Sequence, residues 1–124
     1  MDRLESIVVA VDFSECSASA LAQAARMARD TGATLHVLHV LESLVMTDAI
    51  AGIATSEEAL RALVVSETEK KLRSLLPDAE RPENLQVDVR VGSPIADVLD
   101  KVREVSADLL VLGAQGACGT RKRL

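Results

Sequence analysis

Four short apolar runs constrain what this chain can fold into: SIVVAV at 6–11, ATLHVLHV at 33–40, LQVDVRV at 85–91 and the LLVLG that follows Asp108. Each is of strand length, and the stretches between them carry apolar residues at helical spacing. SIVVAV does not alternate with polar residues, so it reads as a strand buried on both faces. Strand, helix and strand in succession imply parallel pairing through right-handed crossovers. The predicted fold is α/β, an open parallel sheet with helices on both faces, Rossmann-like.

The helices have their own signals. Ser14 is placed to cap a helix from about Glu15, with Cys16, Ala20, Leu21, Ala24 and Ala28 as its core-facing stripe and Gly32 to end it. Thr55 with Glu58 reads as a capping box opening a second helix, whose apolar side carries Leu60, Leu63, Val64, Leu72, Leu75 and Leu76 before Pro77 closes the segment. Gly92, Ser93 and Pro94 supply a turn, a cap and a favoured first helical residue. Ile95, Val98, Leu99, Val102 and Val105 then continue as a third helix. Residues 41–55 lose periodicity while keeping small and apolar residues, and read as a flexible or partner-covered loop. Hydrophobic residues make up 48% of the 124, yet Phe13 is the sole aromatic, so the core must be layered Val, Leu, Ile and Ala. That length supports one domain, residues 1–124.

Charge and cysteine usage narrow the function. A formal net charge of -5 disfavours nucleic acid and anionic lipid as partners. Arg121, Lys122 and Arg123 crowd the last four positions, where they can serve a phosphate locally or lie in solvent. Cys16 and Cys118 form no CxxC pair, which argues against a zinc site or a disulfide framework. The start, MDRLES, lacks a secretory pattern, and no apolar run approaches the roughly 20 residues that span a bilayer. The expected location is the cytoplasm. His36 and His39 sit at odd separation on one strand, point to opposite faces, and read as packed or edge histidines rather than metal ligands. No metal site or catalytic residue is predicted. The nucleophile elbow, the Walker lysine motif and G-x-G-x-x-G are absent, and the third strand ends VRVGSP, without the acceptor aspartate that follows it in a receiver domain.

Two positions at strand ends suit a ligand. Gly113-Ala114-Gln115-Gly116 follows the fourth run, and its glycines leave backbone N–H groups open to an anion, phosphate above all; they also suit a plain tight turn. Asp12 ends the first run just before a helix, where its carboxylate can accept from a ribose or base, cap the helix, or do both. Ligands of open parallel sheets gather at these carboxyl ends.

The order IVVAVDFSE, LHVLHV, VRVGSPIADVL, DLLVLGAQG resembles the universal stress protein family over nearly the whole chain. The resemblance implies a five-stranded, adenine nucleotide alpha hydrolase-like sheet, of which about four strands are present here, with the last helix and strand lacking. It implies ATP, with or without Mg²⁺, as the cofactor: Asp12 near adenine or ribose, the Val40 backbone beside adenine, Ala10 nearby, and Gly113 and Gly116 beginning the phosphate motif G-x2-G-x9-G-[ST]. The chain ends at Leu124, just before that motif's second half. A regulator of the stress response that binds adenine nucleotide, with at most slow hydrolysis, is the first expectation. The alternative is an interaction module of the same fold that uses no nucleotide. In either case the hydrophobic fourth strand is expected at an edge that a second copy, as in a homodimer, or a partner protein covers.

Overall fold

The computed structural model describes residues 4–42 and 56–113. In chain order the elements are β1 (Ser6–Ala10), α1 (Glu15–Thr31), β2 (Thr34–Leu41), α2 (Glu57–Ser74), a single 3₁₀ turn (Asp78–Glu80), β3 (Leu85–Val91), α3 (Pro94–Glu104) and β4 (Leu109–Leu112). The strands form one parallel sheet in the order β3-β2-β1-β4. The chain steps outward twice, returns past β1, and adds β4 on the far side. This reversal of direction beside β1 opens a crevice at the carboxyl ends of the strands.

Alternation along the strands sorts the two layers. Ile7, Val9, Val11, Leu35, Val37 and Val89 face α1 and α2, and join Ala20, Leu21, Ala24, Ala25, Ala28 and Leu72 in the main core. Small alanines on α1 let the helix sit close to the sheet, which is how a chain with one aromatic residue still fills its interior. The opposite face, with α3 across β1 and β2, buries Val8 and Leu38 completely. As predicted, β1 is closed to solvent on both sides, with Ile7, Val8 and Val9 all at 0% exposure.

The caps follow local chemistry. Ser14 caps α1, its hydroxyl accepting from the Ser17 N–H, and Gly32 ends the helix in the left-handed conformation at φ 78°. The start of α2 differs from expectation: Ser56 is the cap, its Oγ accepting from Ala59 N at 3.0 Å. Glu58 therefore sits one position too early to close a capping box, and Thr55, with the rest of residues 43–55, lies outside the described residues. Ser93 precedes α3 but its hydroxyl makes no capping bond; Pro94 supplies the start by its fixed φ. The apolar stripe of α3 divides, Val98 and Val102 turning inward while Ile95 and Leu99 stay exposed.

Two polar ties hold the sheet ends. The Asp108 carboxylate accepts from the N–H groups of Glu5 and Ser6, fastening the start of β4 to β1. Arg90 on β3 forms a two-pronged pair with Glu104 on α3 and also meets Asp88, which Lys101 reaches at 3.2 Å. The bonds it donates, to Glu104 first and then to Asp88, hold the Arg90 guanidinium well above its ordinary value. Burial would raise the Asp88 carboxyl, but its bonds from Arg90 and Lys101 outweigh this and hold it below the usual range.

Candidate functional site

A cleft of about 300 Å³ opens at the carboxyl ends of β1, β2 and β4. Ala10, Asp12, Val40 and Gly113, chosen from the sequence, all line it, although they come from three strand ends far apart in the chain. Gly116, like Cys118, lies outside the described residues.

Asp12 owes its place to the short turn between β1 and α1. Its backbone N–H donates to Ser17 Oγ at 3.2 Å, and its Oδ1 accepts from Ser14 N at 3.0 Å. Ser14, not Asp12, is the helix cap, so the carboxylate bonds within its own turn. Hydrogen bonds from Ser14, and secondarily Ser17, hold its carboxyl below the ordinary value despite slight burial. The group is ionised at neutral pH and exposed at the cleft.

Gly113 fits for a steric reason. A Cβ there would stand 2.7 Å from Cys16 C and from Ser17 N, so the end of β4 packs directly on the first turn of α1. The Val40 side of the cleft comes from β2, while Pro94 and Val98 of α3 with Leu112 of β4 make apolar walls. Glu42 adds a second carboxylate. Among the described lining residues there is no Lys or Arg.

Several lining residues carry no ligand signal in the sequence. Ser17 was legible in principle as the third residue after the cap Ser14, a spacing that lets its hydroxyl return to the turn. In the sequence, Pro94 and Val98 carry only the signals of a helix start and an apolar stripe. His39 packs as expected on the face opposite His36, but its Nδ1 lies 2.5 Å from Val11 O and its ring reaches the cleft wall. His36 instead lines an open polar depression with Ser6, Asp88 and Lys101, where burial and then repulsion by Lys101 lower its tendency to take a proton.

The described lining is suited to recognition. Apolar walls suit a flat ring, an ionised carboxylate suits hydroxyl or amine donors, and exposed backbone at strand ends suits further hydrogen bonds. The fold and cleft define the class: an open, doubly wound α/β domain with a crevice at the carboxyl ends of its parallel strands. The sequence profile described as the universal stress protein family matches residues 4–124, and the chain belongs to that family.

Its relatives agree. Universal stress protein YxiE of Bacillus subtilis (strain 168) is 28% identical over 124 residues, spanning 95% of this chain and 84% of its own length. The solved structure of universal stress protein UspA from Lactobacillus plantarum is 25% identical, with a TM-score of 0.68 over 99% of this chain and 86% of that one. A universal stress protein in complex with cAMP shares the fold at a TM-score of 0.60 and 21% identity, over 88% of this chain and 72% of its own.

Proposed function

We propose that this protein binds an adenine nucleotide in the cleft at the strand ends, as a cytoplasmic regulator in the stress response, without covalent chemistry of its own. The observation that carries this reading is the convergence of Ala10, Asp12, Val40 and Gly113 on one cleft of about 300 Å³. Asp12 would accept from ribose or adenine donors, the Val40 backbone would meet the adenine edge, and the strand end at Gly113 leads toward Gly116 for the phosphates. That a relative by fold was solved with cAMP, itself an adenine nucleotide, supports the ligand class.

The charge balance bears on the cofactor. Asp12 and Glu42 make the described part of the cleft acidic, so a polyphosphate there requires a counter-charge. A divalent cation such as Mg²⁺ supplies it, which favours ATP together with Mg²⁺ over ATP alone. Isothermal titration tests both points. Mg-ATP should bind, EDTA should weaken binding, and Asp12→Ala should weaken it at least about tenfold by removing a charged acceptor. Unchanged affinity in Asp12→Ala, or in Gly116→Val, would remove the corresponding residue from the site.

One observation favours a second reading, an interaction module of the same fold that uses no nucleotide. Among the described residues β4 pairs on one side only; its own Leu112 is 59% exposed, and Ile95 and Leu99 of α3 are 78% and 45% exposed. A second copy or a partner protein covering that edge accounts for them. A monomer at all concentrations in sedimentation, recovering no partner from lysate, would count against this reading.

A further inference from the structure

We infer that His39, Phe13 and Lys71 are positioning residues for Asp12, clamping the turn between β1 and α1 in the backbone shape that presents this carboxylate to the cleft. The significance for binding rests on the nucleotide reading above; the clamp itself does not.

The turn is strained at one place. Phe13, immediately after Asp12, has φ 66°, a left-handed conformation that glycine adopts freely and a bulky side chain does not. The protein's single aromatic residue thus occupies a glycine-type position. Left to local preference, a phenylalanine would hold this shape in roughly a tenth of molecules or fewer. Something from outside the turn has to compensate.

Three contacts do so. The Phe13 ring lies 4.7 Å from the His39 ring, tilted by 57°. The Lys71 ammonium sits over the same ring, 4.3 Å from its centroid. His39 also holds the other side of Asp12, with Nδ1 2.5 Å from Val11 O. A carbonyl only accepts, so Nδ1 carries the proton of this bond. One histidine on β2 therefore grips the residue before Asp12 by its backbone and the residue after it by its ring. Lys71 brings in α2. The hydrogen bonds within the turn, Ser14 N to Asp12 Oδ1 and Asp12 N to Ser17 Oγ, depend on the same backbone shape. Without the clamp, affinity falls by the fraction of molecules that keep the shape.

The test has an arm that needs no ligand. The Asp12 carboxyl is titrated by carbon-detected NMR in the wild type, His39→Leu, Phe13→Ala, Phe13→Gly and Lys71→Met. In His39→Leu and Phe13→Ala the turn relaxes, and the carboxyl should move up toward its ordinary value as its bond from Ser14 weakens. Phe13→Gly accepts a positive φ without the ring and should stay near wild type, a contrast that lost packing alone does not produce. Lys71→Met, at an exposed position, should give a small shift in the same upward direction and decides the matter with the two Phe13 variants where His39→Leu does not fold.

In parallel, Mg-ATP affinity should fall about tenfold in Phe13→Ala and only about two- to threefold in Phe13→Gly. Folded Phe13→Ala and His39→Leu proteins with the wild-type Asp12 titration would overturn the clamp, whatever the binding result. A wild type that binds no adenine nucleotide, with the titration shifts present, would instead overturn the nucleotide reading and leave the clamp standing.

Discussion

Gly113 and His36 show how much a single position can carry. At Gly113 the end of β4 lies so close to the Cys16 and Ser17 backbone that any Cβ must push strand and helix apart. Gly113→Ala should therefore cost about 1–3 kcal/mol, read as a lower denaturation midpoint with unchanged slope. At His36 the buried surroundings and Lys101 depress the proton affinity below the ordinary 6.5, while Asp88 opposes this weakly. The unfolded chain thus binds the proton more readily than the fold, so stability is undiminished above 6.5 and falls as pH drops through 6.5 toward the lowered value. Denaturation at about pH 5.5 and about pH 7.5 checks this: the wild type should be less stable at the lower pH, and His36→Gln should lose that part of the difference.

At the level of elements, each helix is held to the sheet by different means. α1 relies on close approach through its alanines. α2 has a weakly amphipathic surface and is anchored by few deeply buried side chains, chiefly Leu60 and Leu72 at 4% and 1% exposure. Leu72→Ala should cost roughly 2–5 kcal/mol, because the cavity opens between α2 and the sheet where neither can collapse inward. Thermal unfolding followed by circular dichroism is the check, with Leu63→Ala, half-buried, as the milder control. α3 is tied at its carboxyl end through Arg90 and Glu104, while Pro94 and Val98 at its amino end form part of the cleft. The element that walls the candidate site is thus steadied from its opposite end.

At the scale of the whole molecule, the sheet order places β4 at an edge among the described residues. There Leu109 and Val111 are packed against the main core, while Leu112 on the other face has no helix above it among the described residues. α3 lies over β1 and β2, so the apolar surface formed by Ile95, Leu99 and Leu112 continues the cleft outward. On the proposed interaction-module reading, Leu112→Lys should reduce self-association or partner capture in sedimentation and pull-down experiments while leaving the fold intact, since the position is 59% exposed. Among the described residues no helix is long and apolar enough to cross a membrane.

The strands were legible because a short β-branched run has few other stable uses, and β3 and β4 fall where LQVDVRV and LLVL stand. Gly32 and Ser14 were legible because helix ends leave backbone groups that particular small residues satisfy. Asp12 and Gly113 could be picked out because each ends an apolar run, and Val40 through the resemblance to the universal stress protein family. Their meeting in one cleft could not be read from local pattern, because strand order is set by which crossovers bury the most apolar surface, a property of the assembled sheet. The same holds for the exchange of Thr55 for Ser56 as cap, which one residue of register decides. It holds most for Phe13: nothing local says that a phenylalanine will take a glycine's conformation, because the ring and cation that stabilise it arrive from β2 and α2. The sequence by itself determined the elements and the residues at their ends, through short-range sterics and hydrogen bonding. Only the tertiary structure decided which ends face one another and which strained shape survives, because those depend on contacts between residues distant in the chain.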